Sequence, residues 1–142
     1  MNDVAVAVAT AVTFGWLGMV VAISFMEAPL KFRAPGITLQ LGLGIGRIVF
    51  RALNRVEIAL AAVLVLAVAL GSPTVPVLVA MAAPVALLAV QLLAVRPRLN
   101  RRSDRVLAGE QLRRSRLHHI YVVLESAKVL ALLALGIVLF AH

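Results

Sequence analysis

Few side chains in this sequence can do chemistry, and most of them stand out against an apolar background. His118, Tyr121, Glu125 and Lys128 follow one another at i, i+3, i+7 and i+10, the spacing of a single helical stripe. Glu125 lies about eight residues into an apolar stretch, hence roughly 12 Å deep at 1.5 Å per residue, and Lys128 roughly 16 Å deep. Arg47, Arg51 and Asn54 share a face of another helical segment, with Glu57 about 80° to its side. Glu27 adds a third carboxylate, four residues before Lys31. Charges near a bilayer centre cost on the order of 2.5–3.5 kcal/mol on insertion scales, so they turn inward, pair, or snorkel to the interface. Three chemistries are open to such a set. The Glu125–Lys128 pair only fixes helix rotation, the cluster takes up a proton, ion or headgroup, or the long side chains snorkel outward.

Other site chemistries lack their residues. The chain has no cysteine, which removes disulfides, thiol redox chemistry and thiolate metal sites. His118, His119 and Glu125 do not match H-E-x-x-H, and adjacent histidines point about 100° apart, so no metal or haem site is expected. Ser24, Ser115 and Ser126 lack a nucleophile motif. Gly42 and Gly46 lack Walker spacing and its lysine.

The elements that must position these groups are membrane spans. Apolar residues make up 63% of the 142, more than a soluble domain of that length can hide. Four stretches suit a hydrocarbon core of roughly 30 Å: about 4–26, 51–71, 75–95 and 117–141. The expected fold is all-α, a polytopic four-transmembrane-helix bundle in one domain, with an interfacial or extended helix before span two. The alternating stretch 37–46 looks strand-like, but an open strand edge facing lipid would leave its backbone groups without partners. Pro29, Pro35 and Gly36 mark a break after span one, Pro84 a kink in span three, and 106–112 a short amphipathic turn. Ala7, Ala11, Gly15 and Gly18 form a smooth strip on span one for another helix, with the Gly42–Gly46 pair a second such surface. Trp16, deep in the same span, reads as a packing residue.

Charge sets the orientation. Of fourteen basic residues, Lys31, Arg33, Arg47, Arg51 and Arg55 fall between spans one and two. Arg96, Arg98, Arg101, Arg102, Arg105, Arg113, Arg114 and Arg116 fall between spans three and four, leaving Lys128 alone outside both groups. Positive charge is retained on the cytoplasmic side. Loops at about 27–50 and 96–116 are therefore expected in the cytoplasm, with both termini outside. The net charge of +8 follows from that bias, with attraction to anionic lipid headgroups as a consequence. Nucleic acid is not an expected partner, since no recognition motif accompanies the charge. Met1-Asn2-Asp3 lacks the basic start of a cleaved signal, so span one is read as retained. The Ala, Val, Leu and Arg bias suits a bacterium and its plasma membrane.

Gly15-Trp16-Leu17-Gly18, followed by Ser24-Phe25-Met26-Glu27-Ala28-Pro29-Leu30-Lys31-Phe32, resembles small uncharacterised bacterial four-span membrane proteins. Those are similar to the cisplatin-resistance-associated transmembrane family and to copper-resistance D-like proteins. The resemblance covers about the first forty residues and implies a four-span architecture. It carries no metal role here, because Met1, Met19, Met26 and Met81 are the only methionines.

Beside a purely structural role, in which the charges lock the helices in register, two functions remain in competition. One is a transporter-like, channel-like or accessory membrane subunit for a small solute or ion, working as a homo-oligomer or within a larger complex. The other is a membrane-embedded enzyme or binding protein for a lipid, sterol or quinone-like molecule, with His118, Tyr121, Glu125 and Glu57 as acid–base groups. No cofactor is implied by either.

Overall fold

The computed structural model describes residues 1–109 and 116–141. Its regular structure is helical, and among the described residues four helices are long and apolar enough to cross a membrane. They are α1 (Asp3–Arg33), α2 (Leu39–Leu70), α3 (Val75–Leu107) and α4 (Arg116–Phe140). The chain is an all-α, multi-pass membrane protein built as a four-helix bundle.

Each helix begins where its sequence supplies a start. Asn2 caps α1, its Oδ1 accepting from the Ala5 amide at 2.7 Å, and Asp3 adds negative charge to the first turn. Thr38 caps α2, its hydroxyl oxygen accepting from the Leu41 amide at 3.0 Å. The alternating stretch is thereby drawn into a helix, which satisfies its own backbone. Pro76 sits in the first turn of α3, where a missing N–H costs nothing. At 32 residues α2 is about 48 Å long, well beyond a hydrocarbon core of roughly 30 Å. It is the extended helix expected before span two, continuous with the span itself.

The helices outrun the apolar windows. Pro29 does not end α1, which continues to Arg33 before a turn around Gly36, whose φ of 80° is in the left-handed region glycine favours. Basic stretches read as loops are therefore largely helical. In α3, helix persists through Pro84 and extends over the basic segment Arg96–Leu107. The amphipathic turn expected at 106–112 is helical as far as Leu107, and 110–112 lie outside the described residues.

Two segments depart from α geometry, Val21–Glu27 in α1 and Gln91–Val95 in α3, both wound as wider π turns. Each shortly precedes a proline, Pro29 or Pro97. A proline ring strikes the carbonyl of residue i−4, here Phe25 or Leu93, and both lie inside the widened segments. Widening the helix there relieves the clash without breaking it. Pro84 has no such segment before it, so proline permits the widening without compelling it.

The helices pack in chain order around a square, with α1 against α2 and α4, and α3 against the same two. The thinner α2–α3 contact lies largely toward the basic end. At the end carrying the termini the core is apolar, filled by Ala9, Leu64, Val68, Val77, Leu132, Leu135 and Leu139. Two glycines let it close: a Cβ on Gly71 would sit 2.7 Å from Ala5 Cβ, and one on Gly136 would sit 2.6 Å from the Phe14 ring.

The two small-residue surfaces differ in what covers them. Ala7, Ala11, Gly15 and Gly18 are all exposed, while Ala5, Ala9, Thr13, Trp16 and Val20 form the packed face of α1. The packed face is the one that carries Trp16 and its indole donor. The Gly42–Gly46 pair does accommodate a close approach, but not by a helix. The Phe32 ring covers Gly42 and the Lys31 ammonium covers Gly46, both folded back from the end of α1.

Candidate functional site

Lys128 sits on α4 with no exposure, and its ammonium has three N–H donors and no acceptor. All three donors are engaged. The Nζ lies 2.5 Å from Glu57 Oε2, 2.6 Å from Glu125 Oε1 and 2.7 Å from Gln91 Oε1. Glu57 belongs to α2, which faces α4 across the diagonal of the square, so this ion pair runs through the bundle centre. Glu125 comes from the same helix one turn earlier, and Gln91 from the widened segment of α3.

The second layer closes the ring with α1. Trp16 Nε1 donates to Glu57 Oε2 at 2.8 Å. Ser24, in the widened segment of α1, donates its hydroxyl to Glu125 Oε2 at 2.8 Å. A helix of 3.6 residues per turn would set Ser24 about 80° around from Trp16. The wider turns starting at Val21 close that offset, and both side chains reach the cluster. Gln91 Nε2 donates to Glu125 Oε1 at 3.3 Å, and the Tyr121 hydroxyl hydrogen-bonds Glu125 as well. Every helix thus contributes at least one polar group to one buried network.

Charge within this network does not balance. Two carboxylates, on residues 0% and 1% exposed, share a single ammonium. Glu57 is also bonded asymmetrically: Oε2 accepts from both Trp16 and Lys128, whereas Oε1 is buried with no hydrogen-bond partner. That pattern matches a carboxyl group whose carbonyl-type oxygen is Oε2 and whose second oxygen is available for a proton.

The sequence-derived residues divide into three sets. Glu57, Tyr121, Glu125 and Lys128 meet in the network. Arg47, Arg51 and Asn54 line a groove near the basic end with Phe50, Arg55, Ile58, Arg96 and Asn100, and this groove does not reach the carboxylates. Arg47 pairs with Asp104 across α2 and α3. His118 and Glu27 stand apart: His118 is exposed and packs edge-on to His119, with ring centroids 5.9 Å apart. Glu27 Oε2 is buried with no hydrogen-bond partner. No group of three potential metal ligands occurs among the described residues.

Sequence reasoning gave no site role to Trp16, Ser24, Gln91 or Arg96. Gln91 carried the clearest available signal, being the one uncharged amide inside span three. Arg96 was visible only as one of many loop arginines. Its guanidinium carbon lies 4.9 Å from the Phe50 ring centroid and 4.5 Å from that of Tyr121, in the corner formed by these two perpendicular rings.

No family model matches this chain, and the searches of curated proteins and of solved structures likewise found no match.

Proposed function

We propose that this membrane protein is transporter-like and moves or couples to protons, with Glu57 Oε1 as the atom that takes up and releases the proton. The observation carrying this reading is the pairing of two buried carboxylates with one ammonium, one carboxylate oxygen being left without a partner. Intramembrane ionisable groups are by default functional, because an idle one costs stability. A protonated Glu57 leaves the site neutral, with Oε2 still accepting from Trp16 and Lys128. Loss of the proton leaves one net negative charge, which the Ser24, Tyr121, Trp16 and Gln91 donors offset only in part.

The proposed approach is from the basic end, taken as cytoplasmic by the positive-inside bias. Tyr121 and Ser24 lie on that side of the network as hydroxyl carriers, with His118 one turn further out. Toward the termini lies the apolar plug of Leu64, Val68, Leu132 and Leu135. Movement of a proton through to that side requires the plug to part, in a single bundle or a homo-oligomer in the plasma membrane.

The test is proton flux in reconstituted vesicles carrying an internal pH dye and a clamped potassium gradient. Wild-type protein acidifies or alkalinises the lumen, and Glu57→Gln abolishes the flux while shifting stability by less than about 1 kcal/mol, because the amide keeps an acceptor for Lys128 and Trp16. Undiminished flux in a folded Glu57→Gln protein removes this carboxyl group from the mechanism.

A further inference from the structure

The groove between α2 and α3 lies apart from the proton network and has a different chemistry. Arg47, Arg51 and Arg55 come from successive turns of α2, and Arg96 and Asn100 from the basic part of α3. Asp104 pairs with Arg47, but no ion pair engages Arg51, Arg55 or Arg96 among the described residues. Arg96 Nε and Nη2 are buried and have no hydrogen-bond partner. An arginine fork left unpaired while it packs into the corner formed by the perpendicular Phe50 and Tyr121 rings is available for a planar or tetrahedral oxyanion. At its inner end the groove passes Ile58, an exposed apolar side chain on the lipid-facing side of α2. Four guanidinium groups and two amides above, with hydrocarbon below, match a phosphate carried at a water–lipid boundary.

We propose that this groove binds a phosphate group, with Arg96 and Arg51 as the principal donors and Asn54 and Asn100 completing its shell. Arg96 is the anchor, partly buried and packed against both rings. Arg51, exposed on α2, supplies the second charge. An anionic phospholipid headgroup and free inorganic phosphate share the same chemistry here. The apolar inner end favours the lipid, whose acyl chains run past Ile58. The site stands whether or not the protein moves protons.

The experiment titrates purified full-length protein in neutral detergent with short-chain phosphatidylglycerol, short-chain phosphatidylcholine or inorganic phosphate, following the heat of binding. Phosphatidylglycerol is expected to bind saturably and phosphatidylcholine far more weakly. Arg96→Lys, which keeps the charge but loses the fork, and Arg51→Gln, on an exposed position, each weaken binding roughly tenfold. Arg101→Gln, on the same basic segment but outside the groove, leaves it unchanged. Equal binding of inorganic phosphate supports the site with a soluble occupant, whereas binding of the lipid alone supports the headgroup. If Arg101→Gln weakens binding as much as the groove variants, or no variant does, the attraction is diffuse and the site does not exist.

Discussion

The two halves of this bundle are made from the same four helices and stabilised by opposite means. At the end carrying the termini, Ala9, Leu64, Val68, Val77, Leu132 and Leu135 fill the centre, and glycines at 71 and 136 allow close contact. Toward the basic end the centre is a network of Trp16, Ser24, Glu57, Gln91, Tyr121, Glu125 and Lys128, and both widened helical segments lie in this half. In lipid, apolar side chains gain nothing from leaving water, so the plug holds by shape and dispersion. Its contacts are many and individually small. The network holds by a few strong, mutually dependent contacts in a low dielectric, and removing one partner exposes the rest.

That contrast predicts a steep order of effects. Lys128→Met strikes hardest, because it strands two carboxylates that share no other cation. A loss of about 3–5 kcal/mol is expected, read as a collapse in monodisperse yield and in the denaturant midpoint. The triple variant Lys128→Met with Glu57→Gln and Glu125→Gln recovers most of that loss. A Lys128→Met protein as stable as wild type means the network holds nothing.

Trp16→Phe comes next. It removes one donor from Glu57 and leaves a partial void, for an expected cost of about 1–3 kcal/mol in the same unfolding assay. Gly71→Ala probes the plug at comparable size, since the added methyl meets Ala5 and the Ala67 carbonyl, 3.1 Å away. About 1–3 kcal/mol is expected, with proton flux per folded molecule preserved. Should Gly71→Ala abolish flux while leaving stability intact, the division of labour between the halves fails. Asp104→Asn is the smallest change: it breaks an exposed pair with Arg47 and shifts stability by less than about 1 kcal/mol.

The sequence carried the architecture well, because span length, apolar content and arginine placement are each set directly by the bilayer. The same physics made Glu57, Glu125 and Lys128 visible, as charges at depth have few innocent explanations. What escaped was rotation. Ser24 and Gln91 reach the network through widened turns, and a constant 100° per residue misplaces Ser24. The small-residue strip of α1 faces away from the other three helices for a related reason: spacing identifies a stripe but not which stripe faces inward. Trp16 was placed correctly as buried, yet its indole N–H gained meaning only when Glu57 arrived from 41 positions away. Pro29 was read as part of a break, yet helix α1 continues through it, and the helix is widened just before Pro29 and Pro97 alike.

Infrared difference spectroscopy of the reconstituted protein between acidic and alkaline buffer tests the central claim most directly. Wild-type protein should gain a carboxylic acid carbonyl band on acidification, shifted by the hydrogen bonds to Glu57 Oε2. That band should vanish in Glu57→Gln and persist in Glu125→Gln. A spectrum with no such band, or one lost only in Glu125→Gln, contradicts Glu57 as the proton's seat.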